Sequence, residues 1–175
     1  MTYRVTDGTK QLVVRRPPLG HVLATAHDMG REFRVMSALS GTPVPVPETI
    51  ALCSDETVLG APFYVMEHVP GTVYRTPELT GKLSIDQRRQ LSWQLIDVLA
   101  ELHGTDPQQV GLADFGRPEG FLQRQIRRWS KQLAASRSRD IPGIEELAAE
   151  LAERIPQTRR AAIVHGDYRL DNVLV

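Results

Sequence analysis

Cysteine is nearly absent from this sequence of 175 residues, and long hydrophobic runs are missing from it. The single cysteine, Cys53, excludes an internal disulfide and a zinc site made of several cysteines, so we interpret it as a small core or strand residue. No apolar run approaches the ~18–20 residues that cross a bilayer, and no basic-then-apolar leader opens the chain. We therefore expect a cytoplasmic protein without a membrane partner.

An excess of charge of one sign is also absent. The 21 basic side chains are balanced by 21 acidic ones, which gives the chain no general attraction to nucleic acid. A local basic groove for the phosphates of a nucleotide is still compatible with this balance. We expect small-molecule partners and no nucleic acid, and the sequence leaves the oligomeric state undetermined.

The first 70 residues contain short β-prone runs on both sides of one amphipathic helix. Asp7-Gly8 separates the first two runs as a hairpin turn, and Met29, Phe33 and Met36 recur at helical spacing. The predicted order is strand, strand, helix, strand, strand, with bounds near residues 3–6, 11–15, 26–39, 49–53 and 62–69. This order predicts a small sheet that carries one helix.

The remainder of the chain is predicted to be mainly helical. Ser84 and Gln87 match a capping box at the start of a long leucine-rich helix. Two further helices and a short apolar strand are predicted at residues 121–133, 144–155 and 161–164.

A boundary near residue 70 divides the chain into a first part, residues 1–70, and a second part, residues 71–175. Two tryptophans, Trp93 and Trp129, lie on helical stripes of the second part and are interpreted as packing residues.

The segment at residues 165–172 carries the strongest chemical signal, with the sequence His-Gly-Asp-Tyr-Arg-Leu-Asp-Asn. Asp167 is followed five positions later by Asn172. This is the spacing of a phosphotransferase catalytic loop, in which the Asp takes the proton of the substrate hydroxyl and the Asn holds a magnesium ion. The pattern therefore points to phosphoryl transfer.

The same segment, together with Phe-Tyr-Val-Met-Glu at residues 63–67 and the Pro70-Gly71 that follows, resembles a known family. It is the aminoglycoside phosphotransferase and choline kinase-like branch of the protein-kinase-like fold. The similarity is greatest to the phosphotransferase group that also occurs fused to acyl-CoA dehydrogenases. The resemblance implies an α+β fold of two lobes. The N-terminal lobe would hold an antiparallel sheet with one helix, and the C-terminal lobe would be mainly helical and incomplete.

The resemblance assigns roles to particular residues. Asp167 is expected to be the catalytic base and Asn172 a magnesium ligand, whereas His165 is expected to hold the loop by hydrogen bonding and Asp171 to be solvated or capping. Arg15 takes the place of the usual phosphate-anchoring Lys, because an Arg can grip phosphate oxygens bidentately.

Glu32 is the expected ion-pair partner of that arginine. Whether Arg15 or Arg16 faces the cleft depends on the alternation of side chains along the strand, and the sequence leaves both open. The strand and linker residues that precede Pro70 are expected to line the purine pocket, with Met66 at its back and backbone groups offered by Glu67, His68 and Val69.

The expected cofactors are Mg²⁺ with ATP or GTP as phosphate donor, and the expected reaction moves the γ-phosphate to a hydroxyl of a small molecule. A catalytically inactive, kinase-like module that binds a nucleotide or a partner is the alternative. A protein kinase is a weaker one, since Gly166 stands where an Arg is expected. The family's phosphate-covering loop and its second metal-binding Asp are not found, so we expect a chain truncated at both ends.

Overall fold

The computed structural model of the protein describes residues 1–18 and 28–175. The predicted start of the first helix, Ala26, lies outside the described residues. Contacts divide the chain into two compact units, one formed by residues 1–112 with 162–175 and the other by residues 113–161. The lobe boundary near residue 70 is a different division and stays a prediction.

Among the described residues, the first unit contains one antiparallel sheet of four strands, in which the first, second, fourth and third strands of the chain lie side by side. The hairpin turn between the first two strands forms as predicted, because the Asp7 carboxylate accepts the N–H groups of Thr9 and Lys10 at 2.8 and 2.7 Å. Gly8 supplies the positive φ of +93° that this turn needs. The strands are β1 (Thr2–Thr6), β2 (Gln11–Arg15), β3 (Thr49–Cys53) and β4 (Phe63–Glu67).

One helix, α1 (Met29–Leu39), packs against β3 and β4. Asp28 caps its first turn by accepting the N–H of Arg31 at 2.9 Å. The core of the unit contains the buried side chains Leu39, Val44 and Leu102, with the partly buried Val35, Val46 and Ile163 packed against them.

The longest helix, α4 (Ile85–Gly104), begins with the predicted capping box. The Ser84 hydroxyl accepts the N–H of Gln87 at 3.2 Å, and the Gln87 side chain accepts the N–H of Ser84 at 2.8 Å. Two helices that precede it, α2 (Glu56–Leu59) and α3 (Pro77–Gly81), are absent from the sequence prediction. Four or five residues are too few for helical periodicity to show.

The second unit consists of α5 (Phe121–Ser136), which packs against α6 (Ile144–Glu153), and the connecting turns. The predicted packing of the tryptophans is wrong, since Trp93 on α4 is 65% exposed and Trp129 on α5 is 57% exposed. Helical spacing places side chains on one face but does not say what covers that face. None of the described helices combines the length and apolar composition needed to cross a membrane.

The predicted strand at residues 161–164 does not form. Ile163 instead packs against Leu39, Val44 and Leu102 while the backbone around it stays irregular. A run of four apolar residues is too short to separate a strand from an extended core segment. A short 3-10 helix, Leu170–Asn172, follows.

Candidate active site

Arg15 and Glu32 form an ion pair in the first unit. Arg15 is the last residue of β2, and Glu32 lies in the first turn of α1. The Arg15 Nε lies 2.5 Å from Glu32 Oε2, and its Nη2 donates to Oε1 at 3.3 Å. This side-on, bidentate contact occupies one edge of the guanidinium and raises the pKa of Arg15. The partnership predicted from the sequence is therefore present.

Arg16 points to a different part of the fold. Its Nη1 donates to the carbonyl of Leu59 at 2.7 Å, at the end of α2, and its backbone exchanges hydrogen bonds with Met1 at 2.6 and 3.0 Å. Successive strand residues point to opposite faces. Of the two arginines, the structure pairs Arg15 with Glu32.

Tyr64 is a member of this group that the sequence analysis did not assign. It lies on β4 directly opposite Arg15, is only 2% exposed, and donates its hydroxyl to Glu32 Oε2 at 3.0 Å. Burial, followed by the charge of Glu32, raises the pKa of the Tyr64 phenol. Its role depends on the pairing of β2 with β4, which no local pattern in the sequence reports.

The residues predicted to line the purine pocket lie on β4 and just after it. Met66 is partly buried and sits opposite Val13 of β2. The N–H of Glu67 donates to the carbonyl of Glu48 at 2.9 Å, so this group is already engaged. Within the described part of the chain, no hydrogen bond uses the N–H of His68 or Val69. Their contact with a purine stays a prediction.

Asp167 and Asn172 are joined directly in the loop at the end of the chain. The side-chain amide of Asn172 donates to Asp167 Oδ2 at 2.7 Å and to the Asp167 carbonyl at 3.0 Å. Gly166 supplies a φ of +84° immediately before Asp167, a value that a residue with a Cβ adopts only under strain. Both polar side chains are exposed.

Tyr168 connects this loop to the long helix. Its hydroxyl donates to the carbonyl of Leu95 on α4 at 3.0 Å. Its ring packs edge-on against His165, with centroids 5.4 Å apart, and His165 Nδ1 accepts the N–H of Asp167 at 3.4 Å. His165 thus holds the loop, in agreement with the sequence interpretation. Tyr168 is a second anchor, which the residue pattern alone does not indicate.

Asp171 forms an ion pair with Arg169, which lowers the pKa of its carboxyl. The side chain of Asp171 is therefore engaged with its neighbour rather than solvated or capping. Both residues of this ion pair lie between Asp167 and Asn172 in the sequence.

The end of the loop is also tied to the segment after the linker. Thr72 and Val175 exchange two backbone hydrogen bonds of 2.8 and 3.0 Å. The backbones approach so closely that a Cβ on Gly71 would lie 3.2 Å from Leu174 Cβ and from the Val175 carbonyl. A side chain at Gly71 would therefore fit only if these neighbours moved by a few tenths of an ångström.

The loop has too few metal-binding side chains to hold a metal ion by itself, but its oxygen atoms suit Mg²⁺ that is bound together with phosphate. Over residues 1–18 and 28–175, no group of three or more His, Cys, Asp or Glu side chains could hold a metal ion. The loop offers a carboxylate and the Oδ1 of Asn172, which are hard oxygen ligands. Mg²⁺ commonly binds through one or two protein oxygens and completes its shell with waters and phosphate oxygens. The residues present therefore fit Mg²⁺ bound together with a nucleotide.

The comparison with protein families decides the class of this chain. The chain matches the model of the phosphotransferase enzyme family over residues 1–175. It belongs to that family. Among solved structures, a protein of Ralstonia eutropha JMP134 described as a "putative aminoglycoside phosphotransferase" superposes with a TM-score of 0.85 and is 38% identical. The match covers 99% of this chain and 51% of that one, and it confirms the α+β fold of the protein-kinase-like class.

Longer relatives carry a region similar to this chain. Acyl-CoA dehydrogenase family member 10 of Mus musculus is 39% identical over 173 residues, and family member 11 of Homo sapiens is 37% identical over 174 residues. Each match covers 99% of this chain but only 16% and 22% of the relative. The resemblance to the phosphotransferase group that occurs with acyl-CoA dehydrogenases is thereby confirmed.

Proposed function

We propose that this protein, in the presence of Mg²⁺, transfers the γ-phosphate of ATP or GTP to a hydroxyl group of a small molecule. The observation that carries the proposal is the pairing of Asp167 with Asn172 in one loop. The Arg15–Glu32 pair in the same compact unit supports it. Family membership supports phosphotransferase chemistry in general, and the donor, the acceptor and the residue roles belong to the proposal.

Asp167 accepts or orients the proton of the attacking hydroxyl. Asn172 holds one carboxylate oxygen, Oδ2, and no residue of the described chain makes a hydrogen bond to the other oxygen. That oxygen can approach a substrate hydroxyl. A carboxylate suits the task at neutral pH, because the transition state of phosphoryl transfer is loose and asks mainly for positioning.

Asn172 has two functional groups with separate roles. Its amide N–H group orients Asp167, while its Oδ1 is the ligand offered to Mg²⁺. Mg²⁺ supplies charge neutralisation at the phosphate oxygens when it is bound with the nucleotide.

Arg15 binds the phosphates of the nucleotide. Glu32 accepts from Nε and Nη2 of the guanidinium, and Thr2 Oγ1 accepts from Nη1 at 3.4 Å. One further N–H group on each Nη atom is then left for the phosphates. Met66, Glu67, His68 and Val69 are the residues proposed to contact the purine. We place the reaction in the cytoplasm, with a nucleotide and a small alcohol as partners.

The test is magnesium-dependent phosphoryl transfer by the wild type and by Asp167→Asn. The acceptors are an aminoglycoside, choline, a hydroxyacyl thioester and a sugar, and phosphorus NMR follows the phosphate from ATP or GTP. We expect Asp167→Asn to lower turnover by about 10²- to 10⁴-fold, the usual contribution of a general base. Asp86→Asn is the matched control, since that side chain is 92% exposed on α4 and its turnover should equal that of the wild type.

Two results would contradict the proposal in different ways. Equal turnover in the wild type and Asp167→Asn would remove the catalytic assignment. Nucleotide binding by the wild type without transfer to any acceptor would favour the alternative, a kinase-like module that binds and does not catalyse.

A further inference from the structure

Tyr64 is a buried titratable residue that has no role in the proposed reaction. Its side chain lies on β4, 2% exposed, and its hydroxyl reaches Glu32 rather than any group expected to touch substrate. We propose that Tyr64 is a positioning residue, which fixes Glu32 and thereby holds the Arg15 guanidinium in the orientation that receives the nucleotide phosphates. This inference rests on the proposed function.

The geometry places three elements around one carboxylate oxygen. Glu32 Oε2 accepts from Arg15 Nε at 2.5 Å and from the Tyr64 hydroxyl at 3.0 Å. Glu32 Oε1 accepts from Arg15 Nη2 at 3.3 Å. The tyrosine therefore bonds to the same oxygen as the shorter of the two arginine contacts. Rotation of the carboxylate away from Arg15 would break both bonds at this oxygen.

An ion pair without such support would be loosely held. The side chains of Arg15 and Glu32 are 38% and 30% exposed, and pairs near the surface lose much of their attraction to solvent screening. A hydrogen bond from a buried neutral donor to a charged acceptor is stronger and less screened. Tyr64 thus gives Glu32 a fixed partner on the buried side while Arg15 faces the more exposed side.

Two further contacts hold the tyrosine in place. It pairs with Arg15 across β2 and β4, and its ring meets Phe33 edge-on with centroids 6.2 Å apart. Phe33 follows Glu32 on α1, so the ring contact and the hydroxyl contact both tie the tyrosine to the same helix turn. Burial and the charge of Glu32 raise the pKa of Tyr64, so the hydroxyl keeps its proton and remains a donor at neutral pH.

A purely structural role for Tyr64 would predict a different outcome on substitution. Phenylalanine fills the same volume, so Tyr64→Phe removes the hydrogen bond and leaves the packing of the ring in place. Since Arg15 is proposed to contact the phosphates both before and during transfer, a looser Arg15 should weaken nucleotide binding and leave turnover nearly unchanged. A loss of stability alone would not raise the Kd for the nucleotide while leaving kcat unchanged.

The experiment measures the Kd and KM for MgATP or MgGTP, with kcat, for the wild type, Tyr64→Phe and the control Tyr3→Phe. Tyr3 lies on β1 and is 43% exposed, and among the described residues its hydroxyl makes a hydrogen bond only to the Met1 sulfur. We expect Tyr64→Phe to raise Kd and KM by about 3- to 10-fold, the range that one hydrogen bond supports, with kcat changed less than about 2-fold. Tyr3→Phe should match the wild type.

A double-mutant cycle with Glu32→Gln shows whether the effect passes through Glu32. We expect Tyr64→Phe to change Kd by less than about 2-fold in the Glu32→Gln background, because the carboxylate it orients is gone. An equal effect in both backgrounds would overturn the inference, as would a wild-type Kd in Tyr64→Phe. If Tyr64→Phe does not fold, Glu32→Gln alone decides, and a wild-type Kd in that variant overturns it.

The failure of the proposed function gives a separate result. In that case the wild type itself binds no MgATP or MgGTP, or binds without transfer. If the wild type binds and transfers while Tyr64→Phe is indistinguishable from it, the role of Tyr64 alone is contradicted.

Discussion

The two groups of proposed site residues are built in different ways. Arg15, Glu32 and Tyr64 come from a strand, a helix and another strand. They meet at one carboxylate oxygen, Glu32 Oε2, beside a tyrosine that is only 2% exposed. Asp167 and Asn172 lie five positions apart in one exposed loop. The first group depends on how the sheet and α1 pack, whereas the second depends on local backbone geometry and a few anchors.

This contrast has a consequence for mutagenesis. A change in the first group should alter nucleotide affinity and the free energy of unfolding together, since its members are part of the packed unit. A change in the second group should alter turnover with little effect on the free energy of unfolding. Substitutions of exposed side chains away from the core usually change that free energy by less than about 0.5 kcal/mol.

After Asp167→Asn, the largest effect expected from the loop group comes from Asn172→Ala. This change removes both the proposed Mg²⁺ ligand and the hydrogen bond that orients Asp167, so we expect turnover to fall by at least about 10- to 100-fold. The free energy of unfolding, measured by urea denaturation, should change by less than about 0.5 kcal/mol. A large loss of stability would show that the loop is part of the packed structure and would break the contrast.

Asn172 also offers a direct probe of its contact, because it is the single asparagine of the sequence. Labelling with ¹⁵N-asparagine would give a single side-chain ¹⁵N signal, from the Nδ2 atom and its two protons. In the wild type this signal should differ from that in Asp167→Ala, where the acceptor of the 2.7 Å hydrogen bond is absent. Identical signals would mean that the Asp167–Asn172 contact is not formed in solution.

A smaller effect, on the free energy of unfolding, is expected from Tyr64 at alkaline pH. The folded protein holds the Tyr64 proton above pH 10, because burial and the charge of Glu32 raise its pKa, whereas the unfolded chain releases it near the ordinary value of about 10. This contribution to stability is fully present below about pH 10 and is lost as the pH rises further. The slope for one proton is about 1.4 kcal/mol per pH unit.

Urea denaturation at pH 9, 10 and 11 would measure this loss in the wild type and in Tyr64→Phe. We expect the wild type to lose stability more steeply than the variant above about pH 10. Tyr3→Phe should follow the wild type. Parallel losses in the wild type and Tyr64→Phe would show that Tyr64 does not keep its proton in the folded state.

The same contrast explains which features the sequence could predict. The hairpin turn at Asp7-Gly8 and the Ser84 capping box are each encoded by residues that lie close together in the chain. Their hydrogen bonds follow from local geometry, so a pattern in a few residues predicts them. The pairing of Arg15 with Glu32 was predicted from family resemblance, although the choice between Arg15 and Arg16 needed the structure.

The features that the sequence did not predict depend on tertiary packing. Tyr64 acquires its role from the register of β2 and β4, and Ile163 joins the core without entering a sheet. Trp93 lies on a regular helical stripe and is nevertheless exposed. For Tyr64 and Ile163, the contacting residues lie far away in the sequence, so no local pattern indicates them. For Trp93, the helical spacing is regular but no other described residue covers that face of the helix.

The smallest effect is expected from Tyr168→Phe. Tyr168 attaches the exposed loop to a packed helix, so it shares features of both groups. Its hydroxyl bonds to the Leu95 carbonyl of α4, and loss of one such hydrogen bond should lower the free energy of unfolding by about 0.5–1.5 kcal/mol. The ring contact with His165 is retained in phenylalanine, so the loop should keep its fold while its link to α4 weakens. We expect kcat to fall by a few-fold with an unchanged Kd for the nucleotide, the reverse of the pattern expected for Tyr64→Phe. A raised nucleotide Kd with an unchanged kcat would show that the two groups are coupled and that the loop does not act independently of the Arg15 site.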